Sequence, residues 1–78
     1  METNKEIAKI FYEIAELLEI QGTAFKPAAY RKAANSLENL KEDIFLIYKK
    51  SGLKGIKEIP GIGKGTAQKI EEYLKKKK

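Results

Sequence analysis

Apolar residues recur at helical spacing through the first third of the chain, at Ile7, Ile10, Phe11, Ile14, Leu17 and Leu18. This stripe predicts a long amphipathic helix that ends near Ile20, with Gly22 as its terminator and the stripe turned to a core. Thr3-Asn4-Lys5-Glu6 ahead of it has the form of a capping box, in which Thr3 accepts from the Glu6 amide and the Glu6 carboxylate reaches back. Residues 21–26 read as a linker, and Pro27 suits the first turn of a second helix through Leu37. The alanines of that helix allow close packing, and Arg31 and Lys32 are expected on nearly the same side. Leu40, Ile44, Ile47 and Tyr48 mark a third helix, with Phe45 on its flank and Asn35 or Asn39 as its cap. Lys49 and Lys50 suit its last turn, and Gly52 stops it. Leu53, Ile56 and Ile59 recur every three residues, which predicts a short helix before Pro60. Ala67, Ile70 and Leu74 at i, i+3 and i+7 predict a final one. No alternating pattern appears, so the fold class is all-α: a small bundle of four to five helices.

Between the last two helices lies Ile59-Pro60-Gly61-Ile62-Gly63-Lys64-Gly65. Pro60 and Gly61 form a turn dipeptide, because proline presets φ and glycine accepts the positive φ that follows. Gly63 and Gly65 leave the backbone bare for close approach by another molecule. The final helix starts at about residues 63–65. Its first amides have no intrahelical partner, which makes an anion site, and Lys57, Lys64 and Lys69 add full charges around it. Phosphate is the natural guest. The spacing is not that of a Walker A loop, and neither a preceding strand nor a third glycine supports a dinucleotide fingerprint.

Composition narrows the chemistry. The 78 residues suffice for one small domain, and with no cysteine and no histidine there is no disulfide, zinc site or Ser-His or Cys-His arrangement. No apolar run approaches the roughly 18 residues of a membrane span and no signal peptide is visible, so a cytoplasmic location away from membranes is expected. The net charge of +5 is uneven. Residues 1–24 hold two lysines against five carboxylates, or −3, whereas residues 25–78 hold 14 Lys/Arg against six, or +8. One face should avoid polyanions and the other attract them. The run Lys75 to Lys78 is expected to be frayed and solvated. It could add nonspecific DNA affinity, and an end in lysines fits a fragment of a longer protein.

Helix, Pro-Gly-Ile-Gly, helix over about residues 53–74 resembles the helix-hairpin-helix motif. Together with Ala29-Tyr30-Arg31-Lys32-Ala33-Ala34 upstream, nearly the whole chain resembles the amino-terminal domain of family X (polymerase beta-like) DNA polymerases, including bacterial and archaeal members. The resemblance implies a SAM-like helical domain that binds gapped or nicked DNA at its 5′-phosphate without reading bases, in base excision repair. In a prokaryote it would be nucleoid-associated. It places 5′-phosphate contacts on Lys26, Tyr30 and Lys57 and backbone contacts at Gly61, Gly63, Lys64 and Gly65. It places the Schiff-base lysine of a 5′-deoxyribose phosphate lyase on Lys69. It also implies a monovalent cation, Na+ or K+, on the backbone carbonyls of Lys57, Ile59 and Ile62, and no other cofactor. Two departures weigh on the lyase: a basic family position falls on Gly65, which Lys64 partly replaces, and a glutamate beside the lyase lysine is here Gln68.

The residues themselves allow that chemistry. A lysine amine can form an imine with a sugar aldehyde and promote β-elimination without metal or histidine. Neighbouring cations at Lys26, Lys57 and Lys64 disfavour one more charge, and Lys69, next to the core position Ile70, is expected at the edge of the packed face. Lys69 could equally be a plain phosphate contact, and Tyr30 either core or pocket edge beside Lys26. Nucleotidyl transfer needs a carboxylate cluster on a much larger scaffold, so no polymerase site is expected in these residues. A monomer is expected. The reading from another class is a helical protein-interaction module without enzymatic activity.

Overall fold

The computed structural model describes the backbone of residues 2–77 and the side chains of residues 2–76. Among these residues it is all-helical, with α1 (Glu2–Ile20), α2 (Lys26–Asn39), α3 (Ile44–Lys57) and α4 (Lys64–Lys77). Of the expected α1 stripe, Ile7 and Phe11 are buried, Ile10, Ile14 and Leu18 are half-buried and Leu17 is exposed. Ala8 and Ala15 complete the buried face, and α1 packs chiefly on α2 through Ala33, Ala34 and Leu37. Those alanines let the two helix backbones approach closely. The second pair, α3 on α4, closes over the same core with Ile44, Ile56, Ala67, Ile70 and Leu74. The body measures 37 × 22 × 21 Å.

Local signals set several boundaries as expected. Gly22, at φ 78°, ends α1 in a Schellman motif: its own N–H donates to Glu19 O at 3.0 Å and that of Thr23 to Leu18 O at 3.0 Å. Pro27 lies in the first turn of α2. Gly52, with φ 67° and ψ −157°, breaks the helical path, but the chain resumes the helix at once. The two expected segments on either side of it are therefore present as two helical pieces that meet at this kink, the second ending at Lys57 rather than Ile59.

Other expectations fail because distant partners win. Thr3 is no cap: it is buried inside α1, and the Glu6 carboxylate accepts from the Tyr73 hydroxyl of α4 at 3.0 Å instead of reaching back. Neither Asn35 nor Asn39 caps α3, since Asn39 bonds back to Asn35 within α2. Asp43 is the N-cap of α3, accepting from Phe45 N at 2.9 Å, and Leu40 precedes the helix. The Lys75–Lys78 run was expected to fray, yet the backbone stays helical to Lys77. Lys75 and Lys76 are exposed, and Lys78 lies outside the described residues.

Candidate nucleic-acid interface at the hairpin

The hairpin begins as a β-turn. The Ile62 N–H donates to Ile59 O at 3.1 Å across Pro60 and Gly61, and Gly61 takes φ 92°, which defines a type II turn. A Cβ at Gly61 would also collide with Ser36 Oγ, because α2 touches the hairpin there. Gly63 and Gly65 differ: a Cβ at either would meet open space, and neither has a positive φ. Gly61 is thus required by this fold, whereas Gly63 and Gly65 keep the surface bare toward solvent.

The start of α4 is arranged around Thr66. Its hydroxyl accepts from Gly63 N at 3.0 Å and donates to Gly63 O at 3.1 Å. The Ala67 N–H returns to Gly63 O at 2.9 Å. The Gly63 amide is therefore occupied, and the amides of Lys64, Gly65 and Thr66 are those left without an intrahelical acceptor. They supply the partial positive charge of the helix end.

Two of these residues, Gly65 and Thr66, border a concavity of about 630 Å³ between the hairpin, α2 and α4. Lys26, Tyr30 and Lys32 line it from α2, and Gly65, Thr66 and Lys69 from α4, with Gly61 and Gly63 between them. No carboxylate is in its lining. Three glutamates outside the lining accept from tyrosines: Glu38 from Tyr12, Glu71 from Tyr48 and Glu6 from Tyr73, each at 3.0 Å. These bonds raise the Tyr12 hydroxyl above its ordinary value, and for Tyr48 burial contributes first and the Glu71 bond second. The concavity collects cations and amide donors and suits a phosphate.

Six of the eight anticipated contact residues meet in this one place: Lys26, Tyr30, Gly61, Gly63, Gly65 and Lys69. Lys57 and Lys64 are exposed but do not line it. Lys69 is exposed at the rim, one residue before the fully buried Ile70. Tyr30 combines both of its anticipated roles. Its ring packs edge-on against Phe11 at 5.1 Å and 86°, while the residue also lines the pocket.

One residue of the pocket lining, and one that adjoins the lining in the chain, were not singled out from the sequence. Arg31 and Lys32 part company: Arg31 turns to α1 and pairs bidentately with Glu19 at 2.5 and 2.9 Å, leaving Lys32 to face the pocket. The Arg31 hydrogen bond and charge hold the Glu19 carboxyl below its ordinary range. Helical spacing alone put the two basic residues near each other. The carboxylate that separates them comes from another helix. The second is Phe25, 91% exposed just before Lys26, at φ 70°. With ψ −40° and the Lys26 N–H donating to Ala24 O at 2.8 Å, Phe25 is the centre of a strained γ-turn, which costs on the order of 1–3 kcal/mol. The Phe-Lys-Pro order gave no sign of it.

Two of the three carbonyls anticipated for a monovalent cation retain acceptor capacity. Ile59 O accepts one turn hydrogen bond and keeps a second lone pair, and Lys57 O ends α3 with no donor among the described residues. No group of acidic side chains that could hold a metal ion occurs among the described residues. No helix among them is long and apolar enough to cross a membrane.

The family model described as "Helix-hairpin-helix domain" matches residues 2–78. The chain is 38% identical over 71 residues to the Bacillus subtilis (strain 168) protein named DNA polymerase/3'-5' exonuclease PolX, a similarity that covers 90% of this chain. It spans 11% of the length of that relative. No solved structure matches it.

Proposed function

Because the chain belongs to the helix-hairpin-helix domain family, we propose that it binds DNA through the phosphate backbone, without sequence preference, at the pocket between the hairpin, α2 and α4. The observation that carries this reading is the convergence of Lys26, Lys32 and Lys69 with the free amides of α4 in one carboxylate-free concavity. Phosphates fix the position of a protein on DNA but carry no base information. No element here presents side chains arranged to read a groove.

The finer reading is recognition of a 5′-phosphate at a gap or nick, in repair. A terminal phosphate carries more negative charge than an internal one, so a concavity lined by cations and amide donors favours it. Tyr30 stands beside Lys26 in the lining, where its hydroxyl can donate to a phosphate oxygen. Phe25, exposed next to Lys26, offers a ring face to an unstacked base. A Na+ or K+ held by the carbonyls of Lys57, Ile59 and Ile62 would supply one more positive charge beside the backbone.

Lyase chemistry at Lys69 is the enzymatic part of the proposal. The Nζ amine adds to the C1′ aldehyde of a 5′-deoxyribose phosphate and water leaves, giving an imine. Loss of a C2′ proton then breaks the C3′–O bond to the DNA phosphate, and water later releases the sugar. Lys69 lies in the pocket lining, where a sugar attached to a bound phosphate would arrive. A protein-interaction role has one supporting observation, the exposed Leu17 and Ile20 on α1, at 58% and 80%.

Titration with gapped DNA, with and without a 5′-phosphate, and with intact duplex tests the binding. The phosphorylated gap is expected to bind tightest, and equal affinity for all three would refute gap recognition. Borohydride trapping on 5′-deoxyribose phosphate DNA tests the lyase. A covalent adduct that Lys69→Ala removes supports it, and tight binding without any adduct leaves a binding domain in which Lys69 is a phosphate contact.

A further inference from the structure

Across the Lys32 side chain from the phosphate pocket lies a second concavity of about 410 Å³, between α2 and the Ile59–Pro60 side of the turn. Lys32, Asn35, Ser36 and Asn39 line it at i, i+3, i+4 and i+7, one continuous polar face of α2. Lys32 is the single charged residue in this lining. A third concavity, on the α3 side of Pro60, carries Glu42 and Glu58 against the single cation Lys50 in its lining and is less suited to an anion.

The donors of the second concavity are oriented by their own bonds. Asn39 Nδ2 donates to both Asn35 O and Asn35 Oδ1, at 2.9 and 2.6 Å. With its carbonyl side so engaged, the Asn35 amide keeps both N–H donors, and they meet no protein acceptor among the described residues. Ser36 donates to Pro60 O at 2.8 Å and holds the turn against the helix as the far wall. Half-buried Leu40 and Ile59 with exposed Pro60 provide an apolar strip beside the donors. One cation, neutral amide donors, no carboxylate and an apolar strip match a phosphodiester with its deoxyribose.

Resting on the DNA-binding reading, we infer that this concavity is a second backbone subsite, which takes the phosphodiester neighbouring the one held in the main pocket. Lys32 lines both concavities, so one ammonium serves two successive phosphates. The bound strand then follows α2 from Lys26 toward Asn39 rather than leaving the protein at the hairpin.

The test is a fluorescence-anisotropy titration of the whole chain with a short 5′-phosphorylated duplex at several salt concentrations. It uses wild type, Asn35→Ala and Asn35→Asp, each checked by circular dichroism. Loss of the donors should weaken binding about two- to threefold in Asn35→Ala. The added carboxylate should weaken it about tenfold in Asn35→Asp and lower the magnitude of the salt slope by roughly 0.9. If Asn35→Asp is weakened and Asn35→Ala is not, the effect is general charge repulsion and the subsite is refuted. Wild-type affinity in both variants refutes it too. If wild type itself does not bind, the DNA reading falls and takes the subsite with it, an outcome told apart by the first titration alone.

Discussion

The Ser36 hydroxyl donates to the carbonyl oxygen of Pro60 at 2.8 Å, so α2 holds the hairpin at the residue before its positive-φ glycine. Gly61 is caught between these two demands, a φ of 92° and contact with Ser36. Gly61→Ala is expected to lower stability by about 1–3 kcal/mol in urea unfolding, through strain and collision together. Gly63→Val faces neither constraint and should fold with wild-type stability, yet weaken DNA binding by blocking approach to the α4 amides. A Gly63→Val protein that binds as wild type would show that the backbone there is not approached.

Asn4 joins α1 to the start of α3. Its Oδ1 accepts from Ile44 N at 2.8 Å and its Nδ2 donates to Glu42 O at 2.8 Å. Asn4 is 2% exposed, so water cannot replace these bonds. Asn4→Leu should cost about 1–3 kcal/mol by leaving a buried amide and carbonyl unsatisfied. Urea unfolding measures it, and a loss well below that range would mean α3 is fixed by packing alone.

Phe25 pairs a strained backbone with a fully offered ring. Phe25→Gly should relieve the positive φ of the γ-turn and leave stability unchanged or raised by up to about 1 kcal/mol. The same change should weaken binding to gapped DNA more than to intact duplex, because only the gap presents an unstacked base. A variant that loses both stability and duplex binding would assign the ring to packing instead.

Local and long-range causes separate cleanly in this chain. Gly22, Pro27, Gly52 and Pro60-Gly61 could be read from the sequence, since each constrains its own φ or hydrogen bonding wherever it stands. Ile7 and Phe11 of α1 and the Ala67, Ile70, Leu74 face of α4 followed from period alone, whereas Leu17, in the same expected stripe, is exposed. The failures are side chains with a choice of partner. Glu6 could serve Thr3 three residues away, but Tyr73 sits within reach once α4 packs. Asn4 looked like part of a cap for its own helix and caps another. The separation of Lys32 from Arg31 depends on Glu19, which only the packing of α1 on α2 brings near. Six of the eight expected contacts still converge, because the hairpin geometry and the α2 register that place them are themselves local.

The Glu19–Arg31 pair sets an acid-side dependence. Arg31 lowers the Glu19 carboxyl in the folded chain. The stabilisation is thus complete above the ordinary carboxylate range and is lost as pH falls through the lowered value. Thermal melts across that window should show the loss in wild type and a flatter profile in Glu19→Gln. Both groups are largely exposed, so the difference should be small and should shrink further in high salt.

The salt dependence of affinity for a plain duplex tests the central claim most directly, since counterion release reports phosphate contacts whatever the base sequence. With about three to five contacts through Lys26, Lys32, Lys69 and the α4 amides, a plot of log affinity against log salt should fall with a slope of roughly −3 to −4.5. The slope should be the same for unrelated duplex sequences. A slope near zero, or a strong preference for one sequence, would contradict backbone binding at this pocket.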